Sequence, residues 1–137
     1  MKDIKGVISR LAKKYQTNDP FKIAKEKDVL VIYQELGNTL GYYRSYKRIP
    51  IIHINNTLGE EMQRFVCAHE LGHAMLHPSV NTSFLKNNTF FSVDKIEVEA
   101  NYFATHLLLY DENLQNYETT YELLRSKGIP FEMERFI

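Results

Sequence analysis

The chain has 137 residues, 44% of them hydrophobic, a size that supports one core and not two, so a single domain over residues 1–137 is expected. Seventeen basic and seventeen acidic side chains cancel, which gives no electrostatic footprint for nucleic acid or an anionic membrane. The single cysteine, Cys67, cannot make an internal disulfide, and neither a signal-peptide core nor a run of membrane-spanning length occurs, so a cytoplasmic protein is expected.

Ile4, Val7, Ile8, Leu11, Ala12 and Tyr15 keep helical period, predicting an amphipathic helix over residues 2–15. Asp19 then reads as a cap with Pro20 at the first helical position, opening a short helix to about Lys25. Residues 29–33, Val-Leu-Val-Ile-Tyr, are β-branched and short, which predicts a buried strand ending before a turn at Gly37-Asn38. Residues 40–46 and 49–54 bracket Lys47-Arg48 as two further strands joined by a tight turn, with Pro50 confined to a strand start or an edge. A small antiparallel sheet of three strands is expected, and its exposed edge could pair with an extended peptide. The N-x-S/T triplets at Asn55, Asn81 and Asn87 are read as turn chemistry and not as glycan sites.

The stretch from Thr57 to Pro78 carries the chemistry. Thr57 and Glu60 have the spacing of a capping box, and Leu58, Met62, Phe65, Val66 and Leu76 recur at helical spacing. Within that helix His69-Glu70-Leu71-Gly72-His73 spells H-E-x-x-H. Residues four apart lie one turn above each other, so His69 and His73 can aim two ring nitrogens at one zinc ion. Glu70 sits roughly 100° round the helix, placed to act as a general base without being a ligand. Cys67 points away from that face and is expected as a small buried hydrophobe.

A catalytic zinc takes three protein ligands and leaves one position for water, so a further group is needed. His77 lies roughly 12 Å along the helix from His69 and cannot share a metal held by both other histidines. The metzincin extension is absent, because Leu76 and Ser79 stand where glycine and histidine are required. Residues 79–93 mix Asn, Ser and Thr with Phe84, Leu85, Phe90 and Phe91, and are expected to pack on the core or line a pocket. Ser92 or Asp94 should cap a helix reaching about Tyr110, with Ile96, Ala100, Phe103, Ala104 and Leu107 on one stripe. The candidates on it are Asp94, Glu97, Glu99 and His106. Glu97 stands three residues after Asp94, where a carboxylate serves the cap, which leaves Glu99 as the expected third ligand. His106 and Tyr102 are candidates for a transition-state or substrate contact, alongside a backbone amide. A last helix begins at Thr119 with Glu122 in a capping box and stops at Gly128, with Pro130 beyond.

Ala68 to His73 reads AHELGH, and residues 97–104 read E-V-E-A-N-Y-F-A. With these two segments, Ile54-Asn55 and Asp19-Pro20, the chain resembles the ImmA/IrrE family of metallopeptidases. The resemblance implies an α+β, zincin-like (gluzincin-type) domain with the three-stranded sheet beside the H-E-x-x-H helix and an open cleft between them. It also implies zinc on His69, His73 and Glu99, and a helix-turn-helix repressor of a phage or integrative element as the protein cleaved. The chain departs from the family's F-A-x-x-L-L-x-P continuation, having Tyr110 in place of the proline. The rival from another class is a zinc-stabilised anti-repressor that binds and sequesters the repressor without cutting it.

Overall fold

A computed structural model describes residues 3–81, 85–86 and 90–137. Asp3 accepts from the Gly6 amide and starts α1, Ile4–Tyr15, which buries Ile4, Ile8, Leu11 and Ala12. Asp19 accepts from the Phe21 amide at 2.9 Å and starts α2, Pro20–Glu26. Proline at the first helical position costs nothing there, since its missing N–H would have had no helical partner.

Three main strands follow, β1 (Leu30–Gln34), β2 (Thr39–Tyr46) and β3 (Ile49–Asn55), and a two-residue β4 (Leu85–Lys86) completes a sheet in the order β1-β3-β2-β4. Lys47 and Arg48 both take positive φ, 49° and 68°, as a two-residue hairpin turn between β2 and β3 requires. The expected all-antiparallel arrangement is corrected at β1, which runs parallel to β3 with Leu30 opposite Ile51 and Gln34 opposite Asn55. The turn at Gly37 reverses the chain, but β2 does not settle beside β1, because β3 returns between them. Nor is β1 buried: it forms an edge, with Leu30 50% and Tyr33 49% exposed. Pro50 lies at the start of β3, outside the span that pairs with β1, so its missing donor is not needed there.

The motif helix α3 spans Glu60–Leu76, and its cap is not Thr57 but Gly59, which offers no side-chain bond. Thr57 is instead held by the buried Asn55. The Asn55 carboxamide donates to the carbonyls of Gly37 and Thr39 and accepts from both the amide and the hydroxyl of Thr57. Both donor hydrogens and the acceptor oxygen of this buried side chain are satisfied, which outweighs one helix cap. The triplet at Asn55 is therefore turn chemistry, and at Asn81 the side-chain oxygen accepts from the Ser45 amide. Asn87 lies outside the described residues.

Every residue from Phe65 to Ala74 is buried, so this part of α3 is enclosed all round and has no solvent face. One side packs on β2 and β3. Contact there is so close that a Cβ on Gly41 would stand 2.5 Å from the His53 carbonyl and 2.6 Å from Val66. Sheet and helix are thus in direct contact at this point, not separated by a cleft. Gly41→Ala is expected to destabilise the fold by about 1–3 kcal/mol, because one obstacle is backbone and cannot rotate away. The midpoint of urea denaturation checks this; an unchanged midpoint would contradict it.

The other side of α3 packs on α4, Lys95–Leu108. Here Gly72 allows close approach, since a Cβ there would stand 3.0 Å from the Phe103 ring. Asn18 donates its side-chain amide to the Leu107 and Leu108 carbonyls and so closes the end of α4, two residues short of Tyr110. Phe90 is buried edge-on against Phe65, while Phe91 is 67% exposed. The side chains of Phe84 and Leu85 lie outside the described residues. Thr119 caps α5, Thr120–Ser126, by accepting from the Glu122 amide, and the Glu122 carboxylate accepts from the Glu118 amide. Gly128, at φ 66°, ends that segment before a 3₁₀ helix at Phe131–Phe136. Among the described residues no helix is long and apolar enough to cross a membrane.

Candidate metal centre

His69 and His73 are completely buried on α3, with ring centroids 4.9 Å apart. Together with Glu70 they form a group of three side chains whose candidate ligand atoms all lie within 4.8 Å of one another. The carboxylate that faces both Nε2 atoms comes from Glu97 on α4. One of its oxygens is 3.0 Å from His69 Nε2, and the other is 3.3 Å from His73 Nε2. Burial opposes the charge of Glu97, yet the two histidine contacts hold its carboxyl well below the usual carboxylate range. Its side chain is 17% exposed where the histidines are 0%, so the site opens to solvent on the Glu97 side.

The α4 carboxylate in contact with both histidines is thus Glu97, where the sequence reading expects Glu99. Glu99 is buried, with its Oε1 2.8 Å from His77 Nε2, whereas Glu97 makes the carboxylate contacts to the Nε2 atoms of both His69 and His73. The capping argument failed because the Asp94 side chain makes no cap bond and Glu97 turns across to α3 instead. Asn101 was also missed. Its Oδ1 lies 2.8 Å from His69 Nδ1, so the same ring is addressed from both nitrogens by residues four apart on α4. That spacing puts Glu97 and Asn101 on one helix face, a signal available in the sequence.

His106 donates Nε2–H to the Phe136 carbonyl at 2.7 Å, and Tyr102 stacks on its ring and against Phe136. Both thus hold the C-terminal 3₁₀ helix, and His106 lies roughly 13 Å along the helix axis from Glu97. Cys67 is buried, and burial pushes its thiol up, which suits packing and not metal binding.

A cation fits this donor set for a reason visible in the hydrogen bonds. An amide oxygen can only accept, so His69 carries a hydrogen on Nδ1, and in its neutral form, the form that binds a metal, the ring presents a bare Nε2 to the Glu97 carboxylate. In that form the electron pairs that face each other at 3.0 Å are bridged either by a proton or by a metal cation that takes its place. Beside them Glu70 is buried, and its Oε1 has no hydrogen-bond partner among the described residues. With no cation present, burial pushes Glu70 up to about 8; His73 opposes the rise and Glu97 adds to it. An orphaned buried carboxylate next to two imidazoles and a second carboxylate can hold a water and take its proton.

Comparison with known proteins decides the family. The profile of the IrrE N-terminal-like peptidase domain matches residues 24–132. The chain belongs to that metallopeptidase family. It is 44% identical over 135 residues to the protein named "Uncharacterized immunity region protein 2" of Bacillus phage phi105, covering 95% of this chain and 85% of that one. It is also 35% identical over 115 residues to the protein named "Metallopeptidase ImmA" of Bacillus subtilis strain 168, covering 82% and 67%. Family membership implies a divalent metal, and the residues around His69 and His73 are where this chain can hold one.

Proposed function

We propose that this chain is a zinc-dependent endopeptidase that cuts a helix-turn-helix repressor at one site in the cytoplasm and so derepresses a mobile element. The observation that carries the enzymatic part is the convergence of His69 Nε2, His73 Nε2 and the Glu97 carboxylate beside the unpartnered Glu70 oxygen. Two nitrogens and one oxygen are the ligand set of a catalytic zinc, which keeps a position open. The repressor as target is supported by the similarity to a protein named for an immunity region and to one named a metallopeptidase.

His69, His73 and Glu97 would hold the metal, and Asn101 fixes the His69 ring. When bound, zinc supplies Lewis-acid polarisation of the scissile carbonyl and acidifies water. Glu70 takes the proton from the attacking water at its buried oxygen and returns it to the leaving amine. Complete burial of both histidines keeps their rings from turning and excludes bulk water from their far side.

The test is the intact mass of a candidate helix-turn-helix repressor after incubation with zinc-loaded protein. A single cut is expected, and it is expected to vanish with chelator. A repressor that stays whole yet remains bound would favour the sequestering module instead.

A further inference from the structure

Two buried polar residues near this site have no role in the reading above. His77 and Glu99 are only 5% and 2% exposed, and they connect to the metal centre through His73. His73 Nδ1 stands 3.0 Å from His77 Nδ1, and His77 Nε2 stands 2.8 Å from Glu99 Oε1. His77 is the residue at which α3 ends, with φ −135° and ψ 52°. Leaving helical geometry there lets its ring turn toward α4. The next residue is anchored from the sheet by the Tyr43 hydroxyl, which donates to the Pro78 carbonyl at 2.8 Å.

The contact between two Nδ1 atoms needs one hydrogen, and only two neutral arrangements supply it. If His77 donated, His73 would carry its hydrogen on Nε2, aimed at Glu97 and unable to ligate a metal. His77 Nε2 would then face Glu99 without a hydrogen, acceptor against acceptor in a buried place. If His73 donates, His77 accepts on Nδ1 and carries its hydrogen on Nε2, which donates to the Glu99 carboxylate. Both of these His77 contacts are then satisfied, and His73 Nε2 is bare.

We propose that His77 and Glu99 are positioning residues that fix His73 as the Nδ1–H tautomer and so prepare its Nε2 to hold the metal. This rests on the metal-site reading given above. On α4, Glu99 and Asn101 thereby serve the two metal-binding histidines in parallel, Asn101 directly and Glu99 through His77.

Nitrogen-15 NMR of the metal-free wild type tests the assignment without any substitution. His73 is expected to be protonated on Nδ1 and His77 on Nε2; His73 protonated on Nε2 would overturn the proposal. Zinc affinity by chelator competition is the second readout. His77→Leu is expected to weaken zinc binding by about 10–100-fold, the usual range for an outer partner of a ligand. His77→Asn, whose side-chain oxygen can accept from His73 Nδ1, is expected to recover most of that loss. A leucine variant that binds zinc as tightly as wild type overturns the inference and leaves the metal site standing. Failure of the metal site itself reads differently: wild type would bind no zinc, or His69→Ala would bind it undiminished.

Discussion

Glu70→Gln is expected to lower repressor cleavage by about 10²–10⁴-fold, the range for removing a general acid–base group, while the protein keeps its metal and its fold. Glutamine matches the shape of glutamate but cannot accept a proton from water. The fold should survive because burial already favours the neutral form, holding the Glu70 carboxyl up to about 8 in the metal-free protein. The sign of the accompanying pH effect follows. Between the unfolded value near 4.5 and about 8, the folded metal-free chain binds the extra proton, so its stability declines as pH rises through that window. Glutamine removes this decline. Urea denaturation of both metal-free proteins at pH 6 and pH 9 should show a larger loss in the wild type. A Glu70→Gln variant that still cleaves at a comparable rate would remove Glu70 from the mechanism.

If Glu97 holds the metal as proposed, Glu97→Ala is expected to weaken zinc binding beyond the roughly 100-fold upper range for an outer partner. It leaves His69 and His73 without the carboxylate that faces both Nε2 atoms. The same loss appears in thermal stability. Free zinc at a hundred times its Kd should stabilise the wild type by about 2.7 kcal/mol. At that concentration the Glu97→Ala variant should gain little. Glu99→Ala should fall between the two, since it acts on His73 through His77. An order reversed between Glu97 and Glu99 would return the third ligand to Glu99.

The motif helix was legible because four-residue spacing fixes which side chains share a face, whatever surrounds the helix. His69 and His73 face one point for that reason. The third carboxylate was not legible by the route taken, which gave Glu97 a local capping role and left Glu99 for the metal. Local capping lost to a contact between helices: Gly72 lets α4 approach α3 closely, and Glu97 reaches His69 across that gap. Thr57 loses its capping role to a closer competitor, the buried carboxamide of Asn55 two residues before it. The direction of β1 was unreadable for a related reason. Gly37 marks a reversal, but nothing in β1 or β2 reports that β3 will come between them. Distance along α3 keeps His77 out of the proposed ligand set. Its use one step further out depends on the helix ending there, which Pro78 directly after it signals, and on the ring turning toward Glu99, which spacing does not report.

The most direct test of the central claim is an anomalous difference map from crystals of the zinc-loaded protein. One peak is expected, with His69 Nε2, His73 Nε2 and a Glu97 oxygen each at about 2.0–2.2 Å. A peak bonded to Glu99 in place of Glu97, or no peak between the two histidines, would contradict the account.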